Sequence, residues 1–279
     1  EIATLELNDL KLSIQSNIWK VVAREIIKKI ESQVDLLKDL GLGHLTLDRS
    51  SKSLRASEIQ RIRVANQILV PLSDVLYVFD EPSIGLHREE NERLIYHFKQ
   101  LVKRGNTVIV VEHDLDTITS AEHIIEIGPE AGVEGGELIF NGAFSEFCHK
   151  DELKKISPTF RAIKNSNEEV RSRHTLFSKT ESNSIRLIGC QERNLKNIDV
   201  EFQLGKLNVV SGRSGVGKSS LVRGILLKAV QQQLGIETGE PANLTRHENI
   251  DALNKLIFID HSPIGKTPRS NPATYLGLS

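Results

Sequence analysis

Apolar residues at Ile18, Val22, Ile26, Ile30, Val34 and Leu37 recur every three or four positions, the period of one face of an α-helix. Ser16 or Asn17 stands where a cap belongs, and Gly41 where such a helix ends. A second helix is predicted over residues 57–69. Its stripe is Ile59, Ile62, Ala65 and Ile68 or Leu69, with Arg61 and Arg63 turned away and Pro71 as the stop. The pattern then changes to continuous apolar runs at 75–79 and 107–111, separated by a helical stretch over 89–104. That is a βαβ unit and predicts a parallel sheet. Short strands at 124–127 and 137–140 flank a turn rich in glycine (Gly128, Gly132, Gly135, Gly136). Residues 151–184 are polar, mixed in charge and broken by Ser157-Pro158, which predicts a linker. Three strands follow at 185–188, 198–202 and 207–210, then a helix to about residue 234 and a strand at 256–259.

Composition narrows the class. Of 279 residues, 39% are hydrophobic and 26% charged, which excludes a disordered or fibrous chain. The net charge of −1 gives no general excess of positive charge, so any nucleic-acid surface has to be local. Cys148 and Cys190 form no CxxC pair, so neither a disulfide framework nor a zinc site is expected within these residues. A reducing, cytoplasmic setting is expected. Apolar runs of four or five residues fall far short of the roughly 18 a membrane helix needs. Methionine is absent and Glu1 stands first, which suggests a piece of a longer polypeptide.

The chemistry concentrates at strand ends. Gly212, Arg213, Ser214, Gly215, Val216, Gly217, Lys218 and Ser219, followed by Ser220, satisfy G-x-x-x-x-G-K-[ST] between a strand and a helix. Glycines let backbone N–H groups face a phosphate chain, Lys218 can pair with β/γ oxygens, and the Ser219 hydroxyl can ligate Mg²⁺. ATP with Mg²⁺ is the expected ligand. Asp80 and Glu81 leave a buried strand side by side, as a metal-holding carboxylate and a general base would. His113 ends the next strand and is placed to sense a γ-phosphate at the same edge.

The segments VLYVFDEPSIGLH (75–87), GNTVIVVEHD (105–114), NLKNIDVEFQLGKLNVVSGRSGVGKSS (194–220) and IDHSPIGKTPRSNPATY (259–275) resemble the UvrA family of bacterial excision repair. That family consists of ABC-type ATPases with two nucleotide-binding domains in one polypeptide. The resemblance implies an α/β fold of the P-loop NTPase, ABC type, with a helical signature region, a mostly parallel sheet and parts of two nucleotide-binding domains. It divides the chain into a signature region (1–72), the second half of the first ATPase core (73–150), a linker (151–184) and the first half of the second core (185–279). Asp80 and Glu81 become the Walker B pair, Ser83 to Leu86 the D-loop, His113 the switch histidine and Gly212 to Ser219 the second Walker A. The implied partners are damaged double-stranded DNA, a UvrB-like helicase subunit and a second copy of the full protein, with no membrane. Zinc is implied only outside these residues.

Two positions depart from the family. The signature, Leu-Ser-Gly-Gly-Glu in the pattern, reads Leu54, Arg55, Ala56, Ser57, Glu58, and the Q-loop glutamine is His261. Side chains in place of the two glycines hinder close approach of a γ-phosphate, while Arg55 offers a cation in the manner of an arginine finger. In head-to-tail ABC packing both departures fall on the composite site of Lys218. That site is then expected to bind ATP and hydrolyse it poorly, the other site, with Asp80, Glu81 and His113, remaining active, and the chain alone to lack a complete hydrolytic site. Arg49, Lys52, Arg61 and Arg63, with Arg55, form a basic cluster that is either a DNA contact or a solvated helix face. Two other functions stay open: a UvrA-like paralogue for drug tolerance or self-protection, and a non-hydrolysing, nucleotide-gated interaction module.

Overall fold

The structure is a computed structural model that describes residues 24–70, 72–166, 183–237 and 239–260. These fall into two compact units. Among described residues the first holds 24–70, 82–97 and 259–260, and the second holds 72–81 and 98–258.

In the first unit, helix α1 (Arg24–Asp39) ends at Gly41, whose positive φ of 70° lets Leu42 N–H return to the Leu37 carbonyl at 2.9 Å. That is the glycine stop the sequence predicts. The expected start at Ser16 or Asn17, like Pro71, lies outside the described residues. Helix α2 (Ala56–Ile68) buries its predicted stripe, and Gln60, Arg61 and Val64 besides, so it is enclosed on more than one side. Helix α3 (Arg88–Lys103) follows, its first turns in this unit.

The second unit is built on a six-stranded sheet. Its strands are β1 (Val75–Asp80), β2 (Thr107–Val111), β3 (His123–Gly128), β4 (Glu137–Ala143), β7 (Leu207–Ser211) and β9 (Lys255–Ile259). Their order is β4-β3-β7-β2-β1-β9. β1, β2, β3 and β7 are buried at every position, as parallel strands covered on both faces must be. Within this sheet β1–β2, β2–β7 and β3–β7 pair in parallel, and β3–β4 antiparallel. Two short helices, α4 (Leu115–Thr119) and α5 (Phe144–His149), border β3 and β4 in the chain.

Where the sequence divides 73–150 and 185–279 into halves of two cores, the structure threads both into one sheet. Strand β7 lies between β2 and β3 and bonds to each. Periodicity tells that β2 and β3 are buried on both faces, whereas the identity of their neighbour depends on pairing across about a hundred residues, as in the Asn208 Nδ2 bond to the Val108 carbonyl. A second, antiparallel sheet joins β5 (Ser184–Cys190) to β6 (Ile198–Gln203) and β8 (Arg246–Glu248).

The expected linker begins later than residue 151. Helices α6 (Leu153–Ile156) and α7 (Pro158–Asn165) occupy its first part. Ser157-Pro158, which reads as a break, is a helix start: Ser157 caps α7 and Pro158 fills its first turn. Glu126 of β3, fully buried, accepts from Ser157 Oγ at 2.5 Å and from Thr159 N at 3.2 Å, and so ties α7 to the sheet. Burial pushes the Glu126 carboxyl above its usual range, against the lowering effect of these bonds. The folded protein therefore holds a proton there that the unfolded chain releases, and this contribution to stability falls as pH rises above the ordinary carboxylate range. Glu126→Gln is expected to flatten that slope, with the melting temperature of the variant gaining on the parent between pH 5 and pH 8.

Candidate nucleotide-binding site

The parallel register carries the end of each central strand to one edge. Asp80 stands opposite Val111, Val111 opposite Val210, and Ser211 opposite Glu126. One residue further along come Glu81, Glu112 and Gly212.

The loop after β7 requires its glycines. Gly212 sits at φ 132° and Gly217 at φ 116°, and a Cβ on Gly212 would run into the Ile127 carbonyl oxygen. Lys218, only 6% exposed, turns Nζ back to donate to the carbonyls of Gly212 (2.7 Å) and Arg213 (3.1 Å). Burial pulls the Lys218 pKa down, and Glu81, Asp80 and Glu112 act against that pull, so all three acids lie within electrostatic reach of the ammonium. Ser219, which follows, is exposed. The glycine-rich turn of residues 132–136 braces the loop: Gly132 N–H donates to the Gly215 carbonyl and Gly136 N–H to that of Val216, at 3.1 and 2.9 Å. Asn194 Nδ2 donates to the Gly132 and Gly215 carbonyls, and Arg213 pairs with Glu130 at 2.9 Å.

On the acidic side, Asp80 is nearly buried and accepts two bonds from Arg223. Glu81 holds φ at 48°, a left-handed backbone costly for a residue with a Cβ, while its N–H extends the sheet to the Val111 carbonyl. Strain of this kind at a strand end aims a side chain rather than stabilising the strand. Glu112 is fully buried and accepts the N–H groups of His113 and Asp114 at 3.0 and 3.4 Å. The His113 side chain is 63% exposed. In donor chemistry Asp80 and the Ser219 hydroxyl fit Mg²⁺, which takes one or two carboxylates and completes its shell with phosphate oxygens and water, and they are the residues that would hold it.

Asp80, Glu81, His113 and the loop from Gly212 to Ser220 thus belong to one sheet edge, although the sequence assigns Lys218 and Glu81 to different sites. Three contributors were passed over. Glu112 stands next to His113 in the same run, a signal at hand. Asn194 and Arg223 carry no local signal, because Arg223 meets Asp80 across 143 residues.

The signature residues lie in the first unit. Leu54 is buried, Arg55 and Ala56 are exposed, and Ser57 is half-buried. Glu58 turns its carboxylate back onto the Arg55 N–H at 2.7 Å and meets His44 at 3.1 Å. Burial raises its pKa, but the Arg55 amide, His44 and Arg49 outweigh burial and hold it below the usual range. The start of α2 is therefore closed by an anion of its own. In the basic cluster Arg61 is a correction: instead of turning away it is 8% exposed, donating to the Leu40 carbonyl at 3.1 Å and the Ser57 carbonyl at 3.2 Å. The buried guanidinium cannot serve a phosphate backbone. Arg63 is partly covered and pairs with Asp260 at 3.5 Å, whereas Arg49 is half-exposed and Lys52 exposed. Ser83 and Leu86 close a turn through a 3.0 Å backbone bond. His261 lies outside the described residues.

Sheet and loop together fit the P-loop NTPase fold of the ABC type, and comparison with known proteins narrows the class. No protein-family model matches. The chain is 46% identical over 270 residues to UvrABC system protein A of Staphylococcus epidermidis, covering 97% of this chain and 28% of the relative. Against the same protein of Lactiplantibacillus plantarum it is 43% identical over 271 residues, again covering 97% and 28%. The solved structure of UvrA2 from Deinococcus radiodurans matches 99% of this chain and 34% of that one, with 34% identity and a TM-score of 0.51. The chain belongs to the UvrA family, and it spans about 28% of the length of these curated relatives.

Proposed function

We propose that this chain binds and hydrolyses ATP as part of a DNA-binding subunit that recognises damaged DNA in nucleotide excision repair. The observation that carries the ATPase reading is the register that aligns the ends of β1, β2 and β7, setting the P-loop, the Asp80–Glu81 pair and Glu112–His113 at one edge. Backbone N–H groups of residues 212–219 face the phosphate chain, and Lys218 exchanges its two carbonyl partners for phosphate oxygens. Glu81, aimed by its strained backbone, accepts a proton from the attacking water, and His113 steadies the terminal phosphate. Mg²⁺, when bound by Asp80 and Ser219, would supply charge neutralisation between the phosphates. The sequence alone leads one to expect that the chain lacks a complete hydrolytic site; the shared edge of Lys218, Asp80, Glu81 and His113 favours the opposite, so the chain should bind a fluorescent ATP analogue and release phosphate, and Lys218→Ala should abolish both. Binding unaffected by Lys218→Ala sinks the assignment.

The partners proposed with this reading are damaged duplex DNA, a UvrB-like helicase subunit and a second copy of the full protein, and likeness to UvrABC system protein A supports the first two. No helix among the described residues is long and apolar enough to cross a membrane. Arg49 and Lys52, with Arg55 at the start of α2, are the members of the basic cluster left accessible to phosphate. Arg49→Glu with Lys52→Glu is expected to weaken duplex binding and to reduce the salt slope of log K by about 1 to 2. A slope equal to that of the parent would assign these residues to a solvated surface.

A second reading, a nucleotide-gated module without turnover, is favoured by the closed start of α2, where Glu58 already occupies the Arg55 amide. ATP binding with no phosphate release, in the presence of Mg²⁺ and DNA, would select it.

A further inference from the structure

The carboxylate expected to face a metal already faces a cation. Asp80 Oδ2 accepts from Arg223 Nε at 2.9 Å and from Nη2 at 2.5 Å. The guanidinium carbon also lies 5.2 Å from the centre of the Phe258 ring, within cation–π range. Arg223 is therefore held by a nearly buried acid and by an aromatic face. It reaches that place from the π-helical segment Ser220–Leu227, which begins directly after the P-loop serine and whose wider turn sets side chains at angles an α-helix would not. Its side chain remains 42% exposed, so it has solvent to move into. Lys218 follows the same pattern at the loop, held by two carbonyls where phosphate oxygens belong. The two cations, Lys218 and Arg223, are thus satisfied internally.

Resting on the nucleotide-site reading, we propose that Arg223 is the resident counter-ion of Asp80, which a divalent cation has to displace, so that Arg223 sets the Mg²⁺ concentration at which the site loads. A guanidinium is permanently charged and cannot leave by losing a proton, so it leaves only by exchange with another cation. Hydrogen bonds between charged partners, reduced here by the exposure of the arginine, correspond to about a tenfold difference in the metal concentration required. Arg223 is a positioning residue in this scheme: it acts through Asp80, and Phe258 holds it there.

The test uses the 279-residue chain with two titrations. In the first, MnCl₂ is added without nucleotide and bound Mn²⁺ is followed by electron paramagnetic resonance. In the second, MgCl₂ is added at a fixed concentration of a fluorescent ATP analogue. Arg223→Gln is expected to lower the half-saturating metal concentration about tenfold in both. Phe258→Leu, which frees the guanidinium without removing it, is expected to shift both in the same direction by less. Adding Asp80→Asn to Arg223→Gln should cancel the gain, since the metal then has no carboxylate to win. An unchanged or raised midpoint in Arg223→Gln, at an unaltered melting temperature, overturns the proposal. If that variant fails to fold, an unchanged midpoint in Phe258→Leu overturns it instead. Failure of every protein to bind the ATP analogue would count against the nucleotide-site reading, and the Mn²⁺ titration would still decide the role of Arg223.

Discussion

Glu81→Gln should lower ATP turnover by roughly a hundredfold or more, the usual contribution of a positioned general base, and leave ATP binding intact. The amide keeps the shape of the side chain and removes its ability to accept a proton from water. Because the left-handed backbone at residue 81 belongs to the strand end, it should survive the substitution and hold the amide in the same place. Phosphate release measured with saturating ATP, beside binding of a fluorescent analogue, separates the two effects. Turnover equal to the parent would remove Glu81 from the chemistry. Comparison with Lys218→Ala tests the geometry further. If Lys218 and Glu81 serve one site, both substitutions abolish the same activity, whereas sites in different domains would leave part of the turnover after either change.

Phe79→Ala should destabilise the second unit by about 4 kcal/mol, within the range measured for buried aromatic residues cut to alanine. Phe79 is fully buried near the end of β1, directly before Asp80; its ring centre lies 4.5 Å from that of Phe98 and 6.2 Å from that of Tyr77. The cavity would open directly under the strand that ends in Asp80, so ATP binding should weaken as well. Urea unfolding followed by tryptophan-independent far-UV circular dichroism reads the stability. A loss below 1 kcal/mol would mean that the surrounding side chains collapse into the space, as few well-packed cores can.

Much of this was legible because short-range pattern and local chemistry agree. Runs such as VLYVF and TVIVV announce strands covered on both faces, and the P-loop announces its own backbone conformation through Gly212 and Gly217. Other parts escaped for stated reasons. Ser157-Pro158 reads equally well as a break or as a helix start, and only Glu126, 31 residues earlier, decides between them. Arg61 lies on a polar-looking face of α2, yet the Leu40 carbonyl draws it inward. Neither the pairing of β7 with β2 and β3 nor the Arg223–Asp80 contact leaves a periodic trace, because each joins residues far apart in the chain.

The central place of β7 also orders events in time. During synthesis β1, β2, β3 and β4 all leave the ribosome well before residues 207–211 exist, so β2 and β3 wait with the backbone N–H and C=O groups of their facing edges unpaired by β7. Closing the sheet then takes a contact such as Gly205 to Thr107, 98 residues apart, which makes folding slow and exposes strand edges that can pair with other chains. A nascent chain stopped before residue 184 would be a sheet with its middle strand missing, and a natural client for chaperones until the strand that carries the phosphate loop arrives to close it.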